Sequence, residues 1–130
     1  MRTDAQTRGD DAESAVVAAL AEDGWTILAR NVRAGRGELD IVAVDPGPPR
    51  MLVVVEVRRR GRRDFGLAEE SVGHRKRVHL RAAIGRLFED GLPGGNALPS
   101  LPLRVDLVAV EPPERVGDRF RIRHHRGIAL

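Results

Sequence analysis

The chain has 130 residues, 42% hydrophobic and 3% aromatic, with 22 basic residues against 19 acidic and a net charge of +3. That length supports one ordinary core rather than two, the scarcity of aromatic rings argues against stacking on bases, and the lack of cysteine excludes disulfides and thiolate metal sites. The N-terminus, MRTDAQTRGDD, carries charge where a signal peptide needs an apolar stretch, and no segment nears the ~18 apolar residues of a membrane helix, so a cytoplasmic protein is expected.

Residues 1–10 are polar and are expected to form a flexible N-terminus ahead of a single domain over 11–130. From Ala12 to Asp23, AESAVVAALAED sets Val16, Val17 and Leu20 on one side with Glu13 a turn earlier, an amphipathic helix closed by Gly24. WTILARNVR, Trp25 to Arg33, alternates apolar and polar residues as a half-buried strand does, and AGRG supplies a turn. ELDIVAVD (Glu38 to Asp45) and MLVVVEVR (Met51 to Arg58) are nearly continuous β-branched runs, hence strands covered on both faces, with PGPPR as the loop between them. The spacing of Val72, Leu80, Ala83, Ile84, Leu87 and Phe88 predicts a helix from Glu69 to Asp90 with a basic outer face. A flexible loop at 91–101, a fourth strand from Leu103 to Val110 and a short exposed fifth in RFRIRHHRG follow. The order α-β-β-β-α-β-β predicts an α/β domain with a mixed central sheet of four to five strands flanked by two helices. The first three strands form a meander, and the crossover helix returns the fourth parallel to the third.

Within VVVEVRRRG, Val53 to Gly61, Glu56 lies in a run that reads as buried, and a buried carboxylate must be paired, bound to a metal or neutralised. If the hairpin closes by pairing Asp45 with Met51, opposed residue numbers sum to 96; Asp40 then faces Glu56, Glu38 faces Arg58, and all four share one side of the sheet. Opposed β-carbons lie about 4.5–5.5 Å apart. Carboxylates that close repel unless a cation sits between them, and hard oxygen ligands suit magnesium or manganese.

Arg58, Arg59, Arg60, Arg62 and Arg63 form one basic cluster, and Arg75, Lys76, Arg77, Arg81 and Arg86 decorate the second helix, an arrangement suited to phosphates. Lys76 is the chain's only lysine, so arginine also serves as its general solvated cation. Asp106 in LRVDLVAV reads as a structural carboxylate. His124 and His125 are adjacent, face opposite sides of a strand and cannot chelate one metal together.

GRGELDIVAVD followed by LVVVEVRRR, with AESAVVAALAEDGW upstream and FGLAEESVGHRKRVHL and LRVDLVAV downstream, resembles the bacterial YraN-like family of uncharacterised proteins over about Glu13 to Val110. The resemblance implies a restriction-endonuclease-like core, of the superfamily whose active site is summarised as PD-(D/E)XK. It implies that Asp40 and Glu56 are metal-binding acids, that the Val57 carbonyl is a further ligand and that Glu13 adds a third acid from the first helix. Glu38 belongs to the family's GE(I/L)D stretch. Arg58 stands where the motif carries lysine. Arginine stabilises developing negative charge but is too basic to accept a proton. Three readings therefore stay open for Arg58: function kept with arginine, compensation by Lys76 from the second helix, or loss of catalysis.

The resulting expectation is a magnesium- or manganese-dependent nuclease hydrolysing phosphodiester bonds, with Asp40, Glu56, Arg58 and Glu13 at the reacting centre. Arg59, Arg60, Arg62, Arg63 and Lys76 would hold nucleic acid, DNA ahead of RNA; no membrane partner is expected, and a homodimer stays open. The rivals are a catalytically inactive nucleic-acid-binding or partner-binding module on the same fold, and a structural assembly factor without nucleic acid.

Overall fold

A computed structural model of the chain describes residues 4–59 and 72–130, with side chains from residue 11 onward. In chain order the elements are α1 (Asp4–Glu22), β1 (Thr26–Ala34), β2 (Gly37–Asp45), β3 (Met51–Arg59), α2 (His74–Asp90), a 3-10 turn (Pro93–Gly95), β4 (Leu103–Glu111) and β5 (Arg121–His125). The order is the expected one. α1 starts at Asp4 rather than Ala12: no proline interrupts the polar lead-in, and apolar periodicity marks only the half that packs. α2 starts at His74, after Gly73, with Val72 buried ahead of it; residues 69–71, expected in this helix, lie outside the described residues.

The five strands form one sheet in the order β1-β2-β3-β4-β5, parallel between β3 and β4 and antiparallel elsewhere. Each face buries a helix. Ala12, Val16 and Leu20 of α1 pack on Trp25, Ile41, Ala43, Val53, Val55, Val108 and Val110. Leu80, Ala83, Ile84 and Leu87 of α2 pack on Val32, Leu39, Val42, Leu52, Val54 and Val105. This two-sided burial is why β2 and β3 read as continuous apolar runs rather than alternating ones. Phe88, expected on the packed side of α2, is half exposed, since Leu87 takes the inward position.

Two glycines are required by the connections. Gly24 ends α1 with φ of +87°, and Trp25 N–H then closes the turn on the Leu20 carbonyl at 3.0 Å. Gly47 in the β2–β3 loop has φ of +67°, and a side chain there would overlap the Pro49 carbonyl.

The β1–β2 hairpin turns over partway along. Arg30, opposite Ile41, reaches Glu13 of α1, whereas Val32, opposite Leu39, belongs to the α2 cluster. Residues two apart on a regular strand face the same way, so both strands twist at Asn31 and Asp40, which the pairing skips as it also skips Leu28 at a register shift. Asn31 takes φ of +51°, a left-handed conformation that asparagine tolerates.

Candidate active site

The β2–β3 pairing keeps the sum of 96 from Asp45–Met51 to Ile41–Val55 and stops one pair short of Asp40–Glu56. The strands part there, and the Val57 N–H donates to Asp40 Oδ2 at 2.8 Å in place of a main-chain partner. The Asp40 carboxyl also faces that of Glu56. Burial raises the Asp40 pKa most; the Glu56 charge and hydrogen bond and the Glu13 charge add to the rise, and the Val57 N–H only partly opposes it. The result is a move from 3.8 to about 7. Near neutral pH Asp40 therefore holds a proton part of the time, and a cation can displace it.

Glu56 is buried, and its partner is Lys76, whose Nζ lies 3.1 Å from Glu56 Oε1. Lys76 is the third residue of α2, so the first turn of the crossover helix delivers a cation to the strand that precedes it. This contact accounts for a carboxylate inside an apolar strand: the ammonium offsets the charge, and the lysine stem reaches in from solvent.

Glu13, buried on α1, accepts a hydrogen bond from Arg30 Nε at 3.2 Å, and Arg30 also donates to Ser14 Oγ. Glu13 acts on Asp40 through its charge. Among the described residues no three histidine or acidic side chains converge closely enough to hold a metal ion. Among the described residues the donor set is thus two carboxylates, Asp40 and Glu56. Magnesium, which keeps several waters and takes one or two protein carboxylates, suits such a set.

Arg58 lies on the same face of β3 as Glu56, half-buried and across from Ala109 of β4. Glu38, expected opposite Arg58, is exposed and lies across from Arg33 of β1 instead, because β2 has already left β3 at Asp40. At Val57 the contact described is the N–H to Asp40. Arg59 is exposed, its guanidinium 5.8 Å from the centre of the Phe120 ring. Arg60, Arg62 and Arg63 lie outside the described residues.

A second charged cluster sits on the face of the sheet that carries α1. Asp106, fully buried, accepts hydrogen bonds from Arg104 Nε and Nη2 at 2.8 and 2.9 Å and from the Gly127 N–H at 2.9 Å, and its Oδ2 lies 2.8 Å from His124 Nε2. Arg104 Nη2 also donates to Asp45 at 2.8 Å, and Asp45 accepts the Gly47 N–H at 2.9 Å. Burial pushes Asp106 upward, but His124, Arg104 and Gly127 outweigh it and hold the carboxyl at about 2. Asp45 is likewise held below its usual range, burial again being outweighed by Gly47 and Arg104.

The uncharacterised protein family UPF0102 matches the chain over residues 12–110, a span that holds both charged clusters except His124 and Gly127. The chain belongs to this family. A UPF0102 protein of Moorella thermoacetica is 40% identical over 103 residues, covering 79% of each chain. One of Roseiflexus castenholzii is 42% identical over 103 residues, covering 78% of this chain and 77% of its own. One of Neisseria meningitidis serogroup C is 34% identical over 110 residues, covering 82% and 89%. The solved structure of Pyrococcus furiosus SfsA in complex with Ca2+ aligns at a TM-score of 0.36 and 15% identity over 89% of this chain and 61% of that one, a likeness too weak to bear on fold or chemistry.

In this UPF0102 chain the Asp45–Arg104–Asp106–His124 network was not anticipated beyond a structural role for Asp106. A signal was present: Arg104 and Asp106 stand two apart in an otherwise apolar strand, so they share a face and can pair. The Arg30–Glu13 pair had no local signal, since it depends on the twist at Asn31.

Proposed function

We propose that the chain is a metal-dependent nuclease that hydrolyses nucleic-acid phosphodiester bonds at the Asp40–Glu56 pair. The observation that carries this reading is a pair of facing carboxyls, Asp40 held by the Val57 N–H at 2.8 Å and raised to about 7, and Glu56 with a lysine ammonium 3.1 Å away. Ordinary strand-end ion pairs do not hold two acids against each other. Asp40 and Glu56 would hold magnesium or manganese, and such an ion supplies Lewis acidity to a phosphoryl oxygen and to an attacking water. The water's oxygen bonds to phosphorus in line as the bond to the leaving oxygen breaks, and that oxygen departs with a proton. Lys76 and Arg58, two cations beside Glu56, stabilise the negative charge that develops on the phosphoryl group. Lys76 thereby fills from α2 the part that the motif lysine would play at position 58. Glu13, tied to Arg30, keeps the potential at Asp40 negative.

The absence of a three-acid group among the described residues and the arginine at 58 favour a second reading, a binding module without chemistry. A panel of linear, flapped and four-way duplexes, with magnesium and with manganese, separates the two. The nuclease reading expects Glu56→Gln to abolish cleavage while leaving binding largely intact. It expects Arg58→Lys to preserve or raise the rate, and Arg58→Ala to lower it at least about tenfold. If wild type and Arg58→Lys are inert on every substrate while wild type still binds, the binding-module reading replaces it.

A further inference from the structure

A cleft of about 310 Å³ opens between the β1–β2 turn and α2. Its floor is made of small residues, Ala34 and Gly37 of the hairpin and Ala83 of the helix, and its rim carries Arg36, His79, Ala82 and Arg86. The lining holds two guanidinium groups and no carboxylate. Arg86 reaches Glu89 at 3.4 Å and Asp90 at 3.5 Å, but both are exposed pairs within one helix, of the kind worth little and readily exchanged for a better anion. Volume and lining match a small planar ligand with negative charge.

The cleft adjoins the acid pair along two elements. Gly37 precedes Asp40 by three residues of β2, roughly 10 Å at ~3.3 Å per residue. On α2, Lys76, His79, Ala83 and Arg86 follow at spacings of three, four and three, so one stripe of the helix runs from Glu56 to the far rim of the cleft. A strand with a phosphate at Asp40 and Glu56 and its backbone along this stripe would bring a neighbouring nucleotide over the cleft. Guanidinium groups bind phosphate through charge-assisted hydrogen bonds, and the cleft's rim carries two of them, Arg36 and Arg86.

We propose that this cleft is a nucleotide-binding subsite, which takes the base and sugar of a nucleotide flanking the cleaved bond on its Ala/Gly floor and that nucleotide's phosphate on Arg36 and Arg86. The subsite rests on the nuclease reading for its place on the substrate, but its binding needs neither metal nor cleavage. The test is an amide chemical-shift titration of the full chain with adenosine monophosphate, in the presence of chelator, with inorganic phosphate as a parallel probe. Saturable shifts are expected at Gly35 to Gly37, His79, Ala82 and Ala83, with phosphate at least about tenfold weaker than the nucleotide. Ala82→Glu, at an exposed helix position, and Arg36→Ala should each weaken nucleotide binding about tenfold or more with the rest of the spectrum unchanged, while Asp40→Asn leaves it intact. No shifts in the cleft, shifts indifferent to both variants, or equal affinity for phosphate would each overturn the subsite. A chain that binds the nucleotide as described yet cleaves nothing retains the subsite and loses the nuclease reading, so the two failures are told apart.

Discussion

Asp106 and Asp40 are aspartates in the same sheet, and their carboxyls move in opposite directions, to about 2 and about 7. Burial pushes both upward, so solvent exclusion does not explain the difference. Asp106 accepts two hydrogen bonds from Arg104 and one from the Gly127 N–H, with His124 Nε2 2.8 Å away, all favouring the ionised form. Asp40 accepts one backbone N–H and otherwise faces another acid. One cluster is a satisfied network that locks Asp45, β4 and β5 together. The other is left short of positive charge, and Lys76 serves only its Glu56 half. Shortage of this kind lowers stability, and carboxyls perturbed in this way gather at functional sites.

The largest expected effect breaks the satisfied cluster. Asp106→Ala leaves the partly exposed Arg104 with Asp45 alone and takes the acceptor from the Gly127 N–H and His124, and should cost about 2–4 kcal/mol in urea unfolding; a loss under ~1 kcal/mol would mean that the network is not structural. Next comes the frustrated cluster, with the opposite sign. A raised carboxyl keeps a proton that the unfolded chain has released, so wild-type stability should fall as pH rises from about 4 to about 7. Asp40→Asn removes that loss and should stabilise the chain by on the order of 2–4 kcal/mol at pH ~8. Asp106 works the other way: its contribution is present above about 4 and is lost as pH falls through about 2. If Asp40→Asn destabilises at high pH, the two clusters do not differ as described.

Smaller effects sharpen the contrast. Lys76→Met strands the Glu56 charge, but Lys76 is partly exposed, so the cost should be about 1–2 kcal/mol in thermal unfolding, and less once Asp40→Asn has removed the competing acid. A cost unchanged in that background would uncouple Lys76 from the pair. Arg86→Ala, which removes two exposed helix pairs, should stay within about 0.5 kcal/mol.

Strand order, the parallel return of β4 and the β2–β3 register could be read from the sequence because proline, glycine and β-branched runs fix them locally. The proximity of Asp40 and Glu56 follows from that register, although the pairing ends before reaching them. What the pattern hid depends on backbone twist and on side chains from distant elements. The twist at Asn31 and Asp40 moves Glu38 away from Arg58 and Arg30 toward Glu13, and no periodicity announces a single left-handed residue. Lys76 could be weighed as a substitute for the motif lysine, but its contact with Glu56 depends on where α2 begins, and Gly73 rather than the apolar spacing sets that start.

The most direct measurement is a calorimetric titration of the chain with manganese at pH ~6 and ~8, without nucleic acid, repeated on Asp40→Asn. A site built on the raised Asp40 carboxyl predicts saturable binding to wild type that tightens about tenfold at the higher pH, as the proton is displaced, and that Asp40→Asn abolishes. No binding to wild type, or equal binding to the variant, would contradict it.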